Sequence, residues 1–255
     1  MKFTNLIIFI FLQITIFGQT ITTDRPTQTT GPTTVSKGMF QLETGARFST
    51  GNYLQLPGNL FRIGLSRTVE LRVVNGITFR SNYNKVTAQF SNFELGLKVQ
   101  LLNKEGKKTQ IGIIAHGNTT TLIDKWYSQR GFYGILAFNH KLNSRNNLSY
   151  NLGYRMNFTD LNNYIFVWHN LFGTLNYSHS LTDRLSLFTE VYGGIHDYEQ
   201  NFNEVIDRFD LNFDMGLTWL LKDNLQLDYS FGYGIFDRMN FQSIGLSFYI
   251  APRNK

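Results

Sequence analysis

The 255-residue sequence contains no cysteine and only four prolines. Without cysteine, a disulfide framework, a thiolate zinc site and a thiol nucleophile are all excluded. Charge is scarce as well: Asp, Glu, Lys and Arg make up 16% of the chain, against about 25% in a typical soluble domain. No dense basic run occurs beyond NKEGKK at 103–108, which reads as a solvated turn, so the net charge of +6 is spread thinly. A nucleic-acid partner is therefore not expected. The mean hydropathy of −0.21 excludes a bundle of membrane helices. What the chain has in quantity is aromatic: 15% of its residues, with 23 phenylalanines. Low charge with many aromatics is unusual for a surface that meets only water.

The N-terminus reads MKFTNLIIFIFLQITIFGQT. Lys2 is a minimal positive start, Leu6 to Phe17 an apolar stretch broken by Gln13, and Gly18 a small residue suited to a cleavage site. The apolar run is too short for a comfortable bilayer span, so residues 1–18 are expected to be a secretory signal peptide. Residues 19–37 are rich in Thr, carry Pro26 and Pro32, and show neither a period of 2 nor one of 3.6. They read as an extended, irregular segment.

From Gly38 onward the chain alternates. Leu225, Leu227, Tyr229, Phe231 and Tyr233 are interleaved with Gln226, Asp228, Ser230 and Gly232. The same rhythm runs through 148–158, 209–219 and 93–99. Cutting at turn signals gives about twelve strands of roughly ten residues, starting near 38, 58, 71, 88, 109, 131, 148, 165, 185, 206, 225 and 241. Soluble strands usually run about 5–6 residues, tilted membrane strands about 9–11. Four polar turns (LSRT, LNSRNN, LTDR and LKDN) resemble one another and alternate with longer connections such as STGNYLQLPGN and HDYEQNFNE. Short turns on one side and longer loops on the other is the outer-membrane pattern.

Twelve strands also decide which face is greasy. Spaced about 4.8 Å and tilted about 40°, they enclose a circle roughly 24 Å across, too wide for an apolar interior to fill. Turning the apolar face to lipid and the Gly, Ser, Asn and charged face to a wet lumen removes the difficulty, provided that the sheet closes. The expectation is an all-β transmembrane antiparallel up-and-down barrel over residues 38–251, in the cell outer membrane.

Residues 22–45 carry Asp24-Arg25-Pro26, then Gly31-Pro32-Thr33-Thr34-Val35, then Gly38, Gln41, Glu43 and Gly45. They resemble the start of the family labelled MetA-pathway of phenol degradation. The stretch Gly-Leu-Ser-Arg-Thr-Val-Glu-Leu-Arg at 64–72 looks like that family's first inner turn. Gly31 departs from the Ser or other small residue common there. The resemblance implies an outer-membrane barrel that passes small solutes, with outer-membrane lipid around it and no cofactor. The family's name does not establish a phenol substrate; the expectation is passage of small solutes, aromatic or hydrophobic compounds among them, through a charged lumen.

Parity with the apolar positions assigns charges to the lumen. Arg47, Arg62, Arg72, Arg80 and Lys98, with Glu43 and Glu94 among them, form a mainly basic wall on the first four strands. Glu190, Asp210, Asp214 and Asp228 form an acidic wall opposite, on the ninth to eleventh strands, and Arg155 sits on the seventh. Two readings stand: a transverse field that orients solutes along a pathway, or lumenal salt bridges that stiffen the barrel. Asp24, Arg25 and Pro26 either fold into the lumen as a plug or form a periplasmic tether, with Pro26 and Pro32 keeping the segment out of the sheet. The tether is the expectation.

Trp126, Tyr127, Tyr164 and Trp168 cluster toward the outer strand ends and Trp219 toward the inner, as an interfacial girdle would. A solute-binding aromatic platform is the alternative. His116 and His169 offer imidazoles, yet no Gly-x-Ser-x-Gly or His-Glu-x-x-His spacing accompanies them, so a hydrolase ranks below a channel. His116 reads as a lumenal polar residue, and no metal site is expected. A structural barrel with a closed lumen is the main alternative to a channel.

Overall fold

The computed structural model describes residues 20–51, 53–82, 85–102, 108–119, 128–161, 164–201, 204–236 and 240–250. Residues 1–19, where the signal peptide is expected, residues 103–107 and 251–255 and both Trp126 and Tyr127 lie outside the described residues, as does the Tyr164 side chain.

Alternation becomes strand throughout. β1 (Phe40–Ser49), β2 (Tyr53–Gly64), β3 (Val69–Asn82) and β4 (Lys85–Leu102) are followed by β5 (Thr109–Thr119), β6 (Ser128–Lys141) and β7 (Asn146–Leu161). β8 (Tyr164–Ser180), β9 (Leu185–Asn201), β10 (Glu204–Lys222), β11 (Leu225–Gly234) and β12 (Asn240–Ile250) complete the set. Each strand pairs antiparallel with the next in sequence, and β1 pairs with β12 from Phe40↔Ile250 to Ser49↔Phe241, closing the barrel. No backbone edge is left for lipid to meet.

The faces divide as the parity requires. On β11, Tyr229, Phe231 and Tyr233 are exposed outward while Gln226, Asp228 and Ser230 are buried inward. The lumen is nevertheless less polar than expected. Ile114, Ile135 and Ala137 form a small apolar cluster there with Tyr133 and Phe172, and Phe188, Phe241 and Tyr249 are buried inward too. Glycines on the lumen face make room for these rings. A Cβ on Gly232 would meet Phe241 Cδ1 at 2.8 Å, and one on Gly153 would meet Phe172 Cε1 at 2.7 Å.

Strand lengths depart from the expected ten residues or so. β10 has 19 residues and β4 has 18. Most of STGNYLQLPGN and HDYEQNFNE, read as outer loops, is strand. Pro57 hid the first: it sits where the β2–β3 register shifts between Gln55 and Gly58, so its missing N–H breaks no ladder bond. Hairpins that rise past an apolar band need no greasy face, and their alternation fades there.

Candidate functional site

The lumen is occupied by the chain's own N-terminal segment. Ile21 N donates to Asp223 O (2.7 Å) at the β10–β11 turn, and Gly38 N donates to Gly64 O (2.8 Å) at the inner end of β2. Between these anchors the segment crosses the lumen without joining the sheet. The tether expectation is corrected here. Residues 20–37 do stay out of the sheet, yet they lie inside the barrel.

A buried segment outside any ladder must satisfy its N–H groups by other means. Wall side chains supply the acceptors. Asp24 N and Arg25 N donate to Glu43 (3.0 and 2.8 Å), and Gln28 N and Thr29 N to Glu190 (both 2.7 Å). Thr30 N donates to Asn151 Oδ1 (2.7 Å), Thr34 N to Gln100 Oε1 (3.2 Å) and Val35 N to Glu70 Oε2 (2.7 Å). Five strands, β1, β3, β4, β7 and β9, thus contribute acceptors to the N–H groups of one irregular strap. Small residues let it approach: a Cβ on Gly112 would lie 2.9 Å from Pro32 O, and one on Gly64 would collide with Ser36 O.

Asp24 is the charged centre of the strap. Its Oδ2 lies 2.7 Å from Arg72 Nη1, 2.9 Å from Lys98 Nζ and 3.9 Å from Arg62 Nη1. Glu70 binds Arg62 (2.8 Å) and Arg72 (2.9 Å), and Glu43 binds Arg62 (2.9 Å). Asp24, Glu43 and Glu70 therefore balance Arg62, Arg72 and Lys98, all of them buried. Arg62 and Lys98 also reach the carbonyl of Thr33, at 3.0 and 3.4 Å. Buried charges persist only when paired in this way. The part of the basic wall formed by Arg62, Arg72 and Lys98 is neutral once the strap is counted.

Arg25 turns the other way. Its Nη2 donates to Asp228 Oδ1 (3.3 Å) and Ser243 Oγ (2.9 Å). Glu190 and Asp214 face each other directly across β9 and β10, both fully buried. The adjacent residues Asp24 and Arg25 thus address different walls, Asp24 the mainly basic one and Arg25 the mainly acidic one.

Farther out, three lumen-facing arginines lie over rings: Arg47 over Phe241 (3.8 Å to the centroid), Arg155 over Tyr133 (4.7 Å) and Arg80 over Tyr53 (5.0 Å). Tyr133 Oη donates to Glu94 (2.7 Å) and stacks on His116 at 4.8 Å. His116 accepts from Arg72 Nε through Nε2 (3.2 Å), which makes it a lumenal network residue. Asp210 accepts from Asn212 (2.9 Å) and lies 3.5 Å from His196. Arg208 stands opposite His196 in the ladder with the parity of Asp210, so the acidic wall carries a base that the sequence reading passed over although the expected strand included it.

Two further corrections concern positions. Trp168 pairs with Asn157 and shares the inward register of Asn170 and Phe172, stacked on Phe166 at 6.3 Å. It lines the lumen and is not part of a lipid girdle; Trp219, at 50% exposure, does face outward. Glu70, Gln100 and Asn151 hold the strap and went unremarked in the sequence. Glu70 has lumen parity two residues before Arg72, a signal masked by reading it as part of a turn.

Among the described residues, no cluster of three or more His, Asp or Glu side chains is arranged to hold a metal. Chemically, the arrangement can exclude bulk water from part of the lumen, pair charges across it, and leave polar cavities beside the strap. One of these, about 480 Å³, opens among Thr22, Thr27, Asn139, Ser149, Asn176 and Gln226.

Comparison with known proteins agrees with this architecture. The chain is similar in fold to the NanC porin, with a TM-score of 0.55 and 9% identity over 81% of this chain and 98% of that one. It is similar to the KdgM porin in complex with disordered oligogalacturonate, with a TM-score of 0.51 and 10% identity over 82% of this chain and 98% of that one. No curated protein matches the sequence. A family model described as "Putative MetA-pathway of phenol degradation" matches residues 23–248, from the strap to the last strand. With its closed ring of lipid-facing strands, the chain is an outer-membrane β-barrel and belongs to that family.

Proposed function

We propose that this protein is an outer-membrane channel for small solutes whose lumen is narrowed by residues 20–37. The supporting observation is the kind of bond that holds the strap. Between its backbone anchors at Ile21 and Gly38 it is held by ion pairs and by hydrogen bonds that involve side chains, and it adds no strand to the sheet. Such contacts exchange with water far more readily than a ladder of backbone bonds in lipid. A segment required only to fill the barrel could use apolar packing, as the Ile114 cluster does. The similar structures described as porins fit this reading, and the solute class stays open.

The opposed walls then serve to seat the strap. Arg62, Arg72 and Lys98 receive Asp24, while Glu190 and Asp228 receive Thr29 and Arg25. A structural barrel with a permanently closed lumen is the second reading, favoured by the complete neutralisation of the Asp24 cluster. Solute influx into proteoliposomes separates the two. A channel admits pentose-sized solutes in proportion to protein while excluding long oligosaccharides. Influx equal to that of protein-free vesicles for every solute would establish the structural barrel instead.

A further inference from the structure

We infer that the cavity between the strap and strands β1, β2 and β12 is a binding site for a small carboxylate. It measures about 180 Å³ and is lined by Arg25, Gln28, Arg47, Gln55, Phe241 and Ser243, among others. By the volume that water takes in the liquid, that is room for roughly six waters, or a carboxylate with a short apolar tail.

The charge on this lining is one-sided. Two guanidinium groups converge on it, and none of its lining residues is acidic. Arg25 is only partly satisfied: its contact to Asp228, at 3.3 Å, is longer than the about 2.7–2.9 Å of a good charge-assisted bond. Its buried Nε has no hydrogen-bond partner among the described residues. Arg47 Cζ lies over the Phe241 ring, 3.8 Å from its centroid, so the ring supports the guanidinium beside the cavity. Tyr192 and Asp214 also lie near Arg47, and Arg25 is close enough to repel it.

A carboxylate placed between the two guanidinium groups relieves that repulsion and accepts from both. The Gln28 and Gln55 amides and the Ser243 hydroxyl can add neutral donors. Gly45, in the same lining, leaves the room that the Arg25 guanidinium takes: a Cβ there would lie 2.6 Å from Arg25 Nη2. An amine would meet two like charges, and a neutral isostere would leave both arginines as they are. The site therefore gives the proposed channel an acid as its solute class. It rests on that reading only for its purpose, since binding is measured without transport.

The test uses the full chain refolded in detergent micelles, with propionate and its neutral isostere propionamide as probes, read by saturation-transfer NMR. Propionate should show transfer and saturate, propionamide should not, and Arg47→Gln should weaken propionate at least tenfold. Gln55→Glu, which adds a competing carboxylate to the lining, should do the same and decides the matter if Arg47→Gln fails to fold. Arg184→Gln, on an exposed inner turn, should leave binding unchanged. Equal transfer to both probes, transfer to neither, or propionate binding indifferent to both lining substitutions overturns the site and leaves the channel reading standing.

Discussion

Asp24 ties the strap to β3 and β4 and brings a third negative charge to a buried cluster with three positive ones. Replacing it with Asn leaves Arg72 and Lys98 facing the strap with no carboxylate from it, although Glu43 and Glu70 remain. Removing one partner of a buried pair costs about 3–5 kcal/mol; with those neighbours left, about 2–3 kcal/mol is expected, on the order of a hundredfold in strap release. The natural absence of cysteine makes this readable. Ile21→Cys, buried in the strap, should react slowly with an aqueous maleimide and roughly a hundredfold faster when Asp24→Asn is added. Equal rates would mean that Asp24 does not hold the strap. Parity alone assigned Arg62, Arg72, Lys98, Glu190, Asp214 and Asp228 to the lumen. Their partners could not be read, because a partner on an irregular segment leaves no period in the sequence.

At the scale of the strand, the two faces make opposite demands. Leu152, in the middle of β7, is exposed to lipid, while its neighbour Asn151 is buried and bonded to Thr30 of the strap. Leu152→Arg should destabilise the barrel by about 2–4 kcal/mol, the cost of a lipid-facing base near the bilayer midplane. Leu152→Phe should change little. Urea titration of the barrel in vesicles measures both, and equal stability of the two variants would put that face away from lipid. The strands were legible because a period of 2 survives wherever one side is lipid and the other is lumen. It failed at Pro57, where a register shift absorbs the proline, and near the outer ends, where neither face must be apolar. Trp168 was misplaced for the same reason: apolar residues on both faces of β8 leave parity undecided, and only the pairing with Asn157 settles it.

For the whole molecule, the ring of strands and the strap are separate achievements of the sequence. The ring follows from alternation, an even count and closure between β1 and β12. The strap follows from an Asp-Arg pair that meets two walls of opposite charge, which no local pattern announces. The strap was legible as an irregular segment but not as an occupant of the lumen, because its acceptors come from strands spread over the whole chain. The central claim, that the strap narrows a pore, is tested most directly by single-channel conductance in planar bilayers. The chain from residue 19 onward is compared with a variant that also lacks residues 20–34. The account predicts small or infrequent openings for the former and a severalfold larger, steady conductance for the deletion. Identical conductance from two folded, heat-modifiable barrels would contradict it.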